Sequence, residues 1–390
     1  MFTVCKPVGK LAKSAAILAT AAFLAACEPG GLGGGPSINT SKPVPVALLV
    51  PAGSTNSGDE SLARSLENAA RLAMSDLQNV QIDLRVYDTA GNATTATAVA
   101  QQAVADGAKI IIGPVYSQAA NAAGLAVLND NVNVLSFSNN TSIAGGNVFV
   151  LGPTFENTAN RLVSYAGQQG KTGMVIVHSN DAAGNQGQAA IAGALTNSRI
   201  NNAGTVGYDR SQQGVINSVP TIKATVDNTG SDSIFMTATT AGALPLLTQL
   251  LPETGVSPAT VQYIGLTRWD IPAQTLELPG VQGGWFALPD PAKATAYRQR
   301  YNNTYGEAPH PISGLAYDGI AAIAALVSQG NSNALSAAAL TQNAGFQGVG
   351  GIFRLRPNGT NERGLAVATI QNKQVVVIDP APQSFSGAGF

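Results

Sequence analysis

In the stretch Ile110-Ile111-Ile112-Gly113-Pro114-Val115-Tyr116-Ser117, a run of isoleucines stops at a Gly-Pro turn, and Ser117 opens an alanine-rich segment that reads as a helix to about Asp130. An uninterrupted apolar run suits a strand buried on both faces, which is the condition of a parallel sheet covered by helices. The same unit recurs upstream. Val44 to Val50 is an apolar run followed by a turn region of Gly, Ser and Asn. Leu62, Leu66, Ala69, Ala70, Ala73 and Leu77 then recur as one stripe of a 3.6-residue helix starting near Glu60. Ile82 to Asp88 reads as a strand, Thr94 to Asp106 as a helix ended by Gly107, and Val134 to Ser136 as a strand. Strands alternating with helices of this length imply parallel βαβ units in a doubly wound sheet.

The alternation repeats downstream, with helices at Glu156 to Gln169, Gly184 to Asn197 and Val215 to Val226 and strands at Gly173 to His178, near Val206 and at Ser233 to Thr237. Helices fit Ala292 to Tyr305, Ser313 to Ser328 and Ala334 to Gln342. Ile352 to Arg356, Leu365 to Gln371 and Val375 to Ile378, around Pro357-Asn358-Gly359 and Asn372-Lys373, read as antiparallel strands. A chain of 390 residues buries a sizeable core, divided between two domains or lobes.

At the other end, Lys6, Lys10 and Lys13 precede an apolar run from about Ser14 to Ala26, and Leu24-Ala25-Ala26-Cys27 closes it. These are the parts of a secretory signal of the lipoprotein kind, and the run is too short to span a bilayer of roughly 30 Å. Residues 1–26 are then removed and Cys27 becomes the lipidated N-terminus. The alternative is a buried N-terminal helix with an incidental cysteine, against which stands the lack of any polar face after the run. Glu28 in place of aspartate resembles lipoproteins sorted to the outer membrane, so the expected location is the periplasm, lipid-anchored at that membrane. Residues 28–43, dense in Gly, Pro and Ser, read as a flexible tether.

Loss of the signal removes three lysines and no acid, leaving 18 basic against 22 acidic side chains and a net charge of −4. No Lys/Arg cluster remains to neutralise phosphates, which argues against nucleic acid as a partner. Cys5 is also lost, so the mature chain has one cysteine and no internal disulfide. Gly170-Lys171-Thr172 is not a phosphate loop, because position 165 is Tyr and the segment follows a helix and enters a strand. No Gly-x-Ser-x-Gly elbow occurs, and His178 and His310 lack a second ligand at metal spacing. The chain is therefore expected to be no enzyme, with no cofactor and no metal.

The segments Ile112-Gly113-Pro114-Val115-Tyr116-Ser117, Val134-Leu135-Ser136-Phe137-Ser138-Asn139 and Gly314-Leu315-Ala316-Tyr317-Asp318-Gly319, with the Phe353-Arg354-Leu355-Arg356-Pro357-Asn358-Gly359 hairpin, resemble type I periplasmic binding proteins of the leucine/isoleucine/valine-binding branch. The resemblance runs from Val44 to about Asp379. It implies an α/β fold of two Rossmann-like lobes joined by three hinge crossovers at Gly152-Pro153-Thr154, Gly283 to Leu288 and Ala344 to Gly350. Residues 44–153 and 287–343 would form one lobe, 154–286 and 344–380 the other, and 381–390 a flexible tail. Ile264 to Asp270 and Gln282 to Pro291 further resemble lipoproteins described as penicillin-binding protein activators.

Ser117 opens a helix whose first N–H groups are unpaired at the positive end of the macrodipole, which favours a carboxylate beside its hydroxyl. The other reading is that Ser117 only caps its own helix. By resemblance, Ser117 and the loop Ser138, Asn139, Asn140 hold the carboxylate and amine of an amino acid. The corresponding loop of the second lobe, Ser179-Asn180-Asp181-Ala182-Ala183-Gly184, has alanine where amino-acid binders carry an aromatic residue. No acid appears in Phe235 to Thr240 to meet an ammonium; Asp181 is the available substitute, or else a helix cap.

Two function classes remain. One is a lipid-anchored regulator of a peptidoglycan synthase, a penicillin-binding protein, with Trp269 and Trp285 as exposed interface anchors unless they are core residues. The other is a receptor that delivers a small carboxylate-bearing solute to an ABC permease. The missing ammonium clamp and Glu28 favour the regulator. Replacing Cys27 with Ser should release the protein from the membrane, and mass spectrometry of the mature N-terminus should find a lipidated Cys27; an unmodified chain beginning elsewhere would contradict the signal reading.

Overall fold

The computed structural model describes residues 34–385. Cys27, the signal and residues 28–33 of the expected tether lie outside the described residues. The first sheet contains β1 (Val44–Val50), β2 (Ile82–Asp88), β3 (Ile110–Ile112), β4 (Asn133–Ser136) and β5 (Val148–Val150) in the order β2-β1-β3-β4-β5, every pair parallel. The helices α1 (Asp59–Met74), α2 (Ala93–Ala105) and α3 (Ser117–Ala126) connect them. Leu62, Leu66, Ala69, Ala70 and Ala73 of α1 are buried in the first core, as their spacing requires.

The chain then crosses to the second lobe through α4 (Phe155–Gln168), whose Thr154 cap and Asn157 bond each other's backbone N–H groups. There β6 (Gly173–Ser179), β7 (Asn201–Tyr208), β8 (Ser233–Met236), β9 (Gln262–Gly265) and β10 (Trp285–Leu288) alternate with α5 (Ala182–Thr196), α6 (Gln212–Thr229) and α7 (Leu244–Glu253). Next come α8 (Pro291–Tyr305), α9 (Gly314–Val327) and the short α10 (Ala337–Leu340), which return to the first lobe and place Tyr301, Ile320, Ile323 and Leu340 in its core. A small antiparallel sheet of β11 (Phe346–Gly348), β12 (Gly351–Leu355) and β13 (Asn361–Arg363) follows. Finally β14 (Ala366–Gln371) and β15 (Gln374–Asp379) complete the second sheet, β15-β14-β10-β9-β8-β6-β7. This is the expected α/β architecture of two lobes, each on a sheet with parallel βαβ units.

Several boundaries fall elsewhere than the sequence suggested. Residues 287 and 288 do not start a return to the first lobe: Ala287 and Leu288 pair with Val367 and Ala366 in the second sheet, and the chain leaves at Pro289. Phe346, Phe353 and Leu355, expected in the second lobe, belong to the first core. Residues 34–43 are not a loose tether, since Ile38 is 8% exposed in the first core and its N–H donates to Ser332 O at 2.9 Å. Residues 381–385 are likewise docked, with Ala381 in the second core and the Phe385 ring 4.5 Å beneath the Arg354 guanidinium. The helix expected at 334–342 shrinks to Ala337–Leu340.

The three crossings meet at one buried carboxylate. Asp318 of α9, 1% exposed, pairs with Arg363 of β13 at 3.2 Å and accepts the Val349 N–H at 2.8 Å. Arg363 also donates to Leu151 O at the first crossing, and Gly350 O accepts the Asp290 N–H at the second, 2.9 Å away. Gly348 permits the approach, for a Cβ there would lie 2.6 Å from Asp318 Oδ1. Burial raises the Asp318 carboxyl above its ordinary value, while the Arg363 charge and the Val349 N–H work against that rise. Arg363→Met leaves a buried charge unpaired and should destabilise the protein by about 3–5 kcal/mol in chemical denaturation. A group whose folded pKa is raised loses its stabilising contribution as pH climbs through that value, so the deficit of this variant should shrink as pH falls into the carboxylate range.

Candidate ligand-binding site

Open α/β sheets bind ligands beyond the carboxyl ends of their strands. In the first lobe these ends are tied together before any ligand arrives. Gly113 follows β3 at φ 85°, where a Cβ would sit 2.2 Å from Leu49 O. Its N–H donates to Leu135 O at 2.8 Å, and Phe137 N–H donates to Pro114 O at 3.0 Å, so the turns after β3 and β4 are joined. Buried Asp59 accepts the Tyr116 hydroxyl and the Asn56 amide. Burial alone would raise the Asp59 carboxyl; the hydrogen bonds from Tyr116, Ser54 and Asn56 outweigh it and hold the group below its usual value.

Tyr116 thus occupies the N-cap of α3 with its side chain turned to Asp59, and Ser117 is the first helical residue rather than the cap. Ser117 is half-buried, and its hydroxyl has no protein partner among the described residues. On the neighbouring loop, buried Ser138 accepts the Asn140 N–H at 3.1 Å, and Asn140 Oδ1 caps the turn Thr141–Ile143 through the Ser142 N–H at 3.0 Å. Asn139 is exposed. Strand pairing of β3 with β4 brings the Ser117 and Ser138 turns side by side at one sheet end.

The second lobe presents a cavity of about 540 Å³ at the ends of β6, β7, β8 and β9. Phe155, Val215 and Leu246 form its apolar wall, and Ser179, Thr237, Thr239 and Thr267 supply hydroxyls. Asp181 lines it too, but its carboxylate is engaged within the protein. One oxygen caps α5 through the Gly184 N–H at 2.7 Å and accepts the Ser179 hydroxyl at 3.2 Å; the other meets Arg210 at 3.0 Å. These contacts, led by the Gly184 N–H, lower the Asp181 pKa. The expected role as a free counter-charge for an ammonium therefore gives way to that of cap and partner of Arg210, whose own side chain is 73% exposed.

Arg210 and Tyr208 were not singled out from the sequence. β7 is an edge strand in which Val206 and Tyr208 alone are buried, so its end, and the residues just beyond it, give no periodic signal. The expected interface anchors need correction. Trp269 is 0% exposed, packed where a Cβ on Gly265 or Gly284 would come within 2.2 Å of its indole. Trp285 is half-buried, edge-on to Tyr165 with ring centroids 4.9 Å apart. Among the described residues no cluster of three or more His, Cys, Asp or Glu is placed to hold a metal, and no helix is long and apolar enough to cross a membrane.

A search of curated proteins finds no match. Solved structures match over nearly the whole folded region. A branched-chain amino acid ABC transporter periplasmic ligand-binding protein from Burkholderia xenovorans is 18% identical with a TM-score of 0.66, covering 88% of this chain and 97% of its own. An ABC transporter substrate-binding protein from Desulfitobacterium hafniense in complex with Leu is 19% identical with a TM-score of 0.61, covering 86% and 100%. A solute-binding protein of an ABC transporter from Rhodopseudomonas palustris, in complex with 3,4-dihydroxybenzoic acid, is 17% identical with a TM-score of 0.56, covering 87% and 98%. At these identities the likeness is one of fold. The family model described as periplasmic binding protein matches residues 43–374, so the chain belongs to that family, which binds ligands and is not enzymatic.

Proposed function

We propose that the protein is the solute-binding receptor of an ABC permease and that its ligand is a small carboxylate with an apolar body. The observation that carries this is the cavity of about 540 Å³ in the second lobe, part apolar and part hydroxyl-lined, with Arg210 on its wall. Its size falls in the range of small-molecule sites. The first-lobe face supplies the other half: Ser117 at a helix N-terminus, with Ser138, Asn139 and Asn140 beside it, is the electrostatically favoured seat of the carboxylate. The Leu and 3,4-dihydroxybenzoic acid complexes of the structural relatives, both carboxylates on apolar frames, are in keeping with this reading.

Asp181 distinguishes between those two kinds of ligand. With both oxygens engaged by Gly184, Ser179 and Arg210, it offers no free charge to an α-ammonium, so carboxylic acids without one fit better than ordinary amino acids. The regulator reading loses its proposed anchors, since Trp269 is interior and Trp285 is occupied by Tyr165. We infer further that Cys27 is lipidated, holding the receptor at a membrane from the periplasmic side.

The matched test is calorimetric titration with leucine, its ammonium-free analogue 4-methylpentanoate, and the neutral amide of the latter. The carboxylate should bind, the amide should not, and leucine should bind less tightly than 4-methylpentanoate. Ser117→Ala removes one hydrogen bond to a charged acceptor and should weaken binding by about 1.5–3 kcal/mol, roughly tenfold or more. Leucine preferred over its analogue, or carboxylate binding indifferent to Ser117→Ala, would contradict the ligand assignment.

A further inference from the structure

The second-lobe cavity holds more hydrogen-bond donors than its own acceptors can satisfy. Asp181 and Arg210 are the charged residues of its lining, and they are engaged unequally. Asp181 has both oxygens occupied, one by the Gly184 N–H and the Ser179 hydroxyl, the other by Arg210. Arg210 gives one nitrogen to that contact, and its remaining N–H groups have no protein acceptor among the described residues. Thr237, just past the end of β8 and 8% exposed, accepts the Ser179 N–H at 3.4 Å, while its own hydroxyl proton has no acceptor among the described residues. Its methyl is packed on α5, where a Cβ added to Gly187 would lie 2.9 Å away, so the side chain is held in one orientation.

Three helices also begin on the wall of this cavity, at Gly184 of α5, Gln212 of α6 and Ala243 before α7. The positive end of α5 faces the Asp181 carboxylate, whereas α6 is capped by the neutral Ser211 and α7 has no side-chain cap. One carboxylate, already absorbed by α5, thus stands against a guanidinium and two further helix ends. A solute with a single polar end at Ser117 would press an apolar tip on these donors, taking water from them and returning no acceptor. A second carboxylate would accept from the guanidinium fork and from Thr237 with the strength of a charge-assisted bond.

We propose that the lobes close on a dicarboxylate, one carboxylate seated at Ser117, the other taken by Arg210 and Thr237, and the apolar chain between them lying along Phe155, Val215 and Leu246. Arg210 sets the sign of the distal group, because it attracts an anion and at the same time covers Asp181 against an ammonium. This deepens the receptor reading and rests on it, and the experiment separates the two.

The full chain is titrated calorimetrically with pentanedioate, hexanedioate and heptanedioate, each beside the monocarboxylate of the same length, and with 6-aminohexanoate. The best-fitting dioate should bind at least about tenfold more tightly than its monocarboxylate, as a charged acceptor at unpaired donors implies. 6-Aminohexanoate should bind more weakly than hexanoate. Arg210→Gln changes a side chain that is 73% exposed, so the circular dichroism should stay native. It should cost the dioate at least about tenfold more than the monocarboxylate and, by uncovering Asp181, place 6-aminohexanoate ahead of hexanoate. Wild-type protein that binds the monocarboxylates as tightly as every dioate overturns the second carboxylate and leaves the receptor reading standing. An equal loss for both ligands in Arg210→Gln puts a single carboxylate at Arg210 and overturns it as well. Wild-type preference for 6-aminohexanoate over hexanoate would contradict the role of Arg210, and a protein that takes no carboxylate of either series loses both readings.

Discussion

The buried pair of Asp318 and Arg363 is the constraint on which the arrangement of the lobes depends. A carboxylate out of water is tolerated only with its partner and its remaining lone pairs satisfied, and here each satisfying group comes from a place where the chain changes lobes. Arg363 precedes the last return to the second sheet and also holds Leu151, at the end of the first lobe's β5; Val349 adjoins Gly350, which accepts the Asp290 N–H at the second crossing. Asn361 continues the network by donating to Val150 O and Gly152 O at 2.8 Å, and its own carbonyl accepts the Asn157 amide of α4 at 3.0 Å. The closure proposed above would then bend only a few connecting residues, the hinge type of domain closure.

From this junction the two faces of the candidate site follow. Each lobe turns the carboxyl ends of its parallel strands outward, and each holds the loops there with internal hydrogen bonds, the Tyr116–Asp59 bond on one side and the Ser179–Asp181–Arg210 group on the other. Loops already tied in place lose less freedom when a ligand is bound, which favours affinity. The division of labour is electrostatic as well. The helix N-terminus at Ser117 and the exposed guanidinium of Arg210 both favour anionic groups, while the acids that could attract a cation, Asp59 and Asp181, are occupied within the protein.

Much of the fold was legible because parallel strands buried on both faces and helices with one apolar stripe leave strong signals, as in β1, β3 and α1. What escaped had a physical reason in each case. α7 contains Pro245 and Pro252, which read as breakers, yet Pro245 lies in the first turn, where its missing N–H costs nothing. β5 and β9 are three and four residues long, too short for a period. Trp269 stands between Arg268 and Asp270, so the sequence left it open between interface anchor and core; those two residues pair with each other and leave the indole to pack inward against two glycines. In the candidate site, the position of Ser117 at a helix start beside the Ser138 loop was legible from the turn and the helix pattern. Arg210 was not, because it follows an edge strand and its position depends on an ion pair across two loops.

The central claim is that the lobes close on a small carboxylate between the Ser117 and Arg210 faces. Pulsed electron spin resonance between one spin label on each side of the cleft measures this directly. Saturating 4-methylpentanoate should shorten the distance and narrow its distribution, and the neutral amide at the same concentration should leave both unchanged. A distance that does not move with any carboxylate, or that moves equally with the amide, would contradict the account.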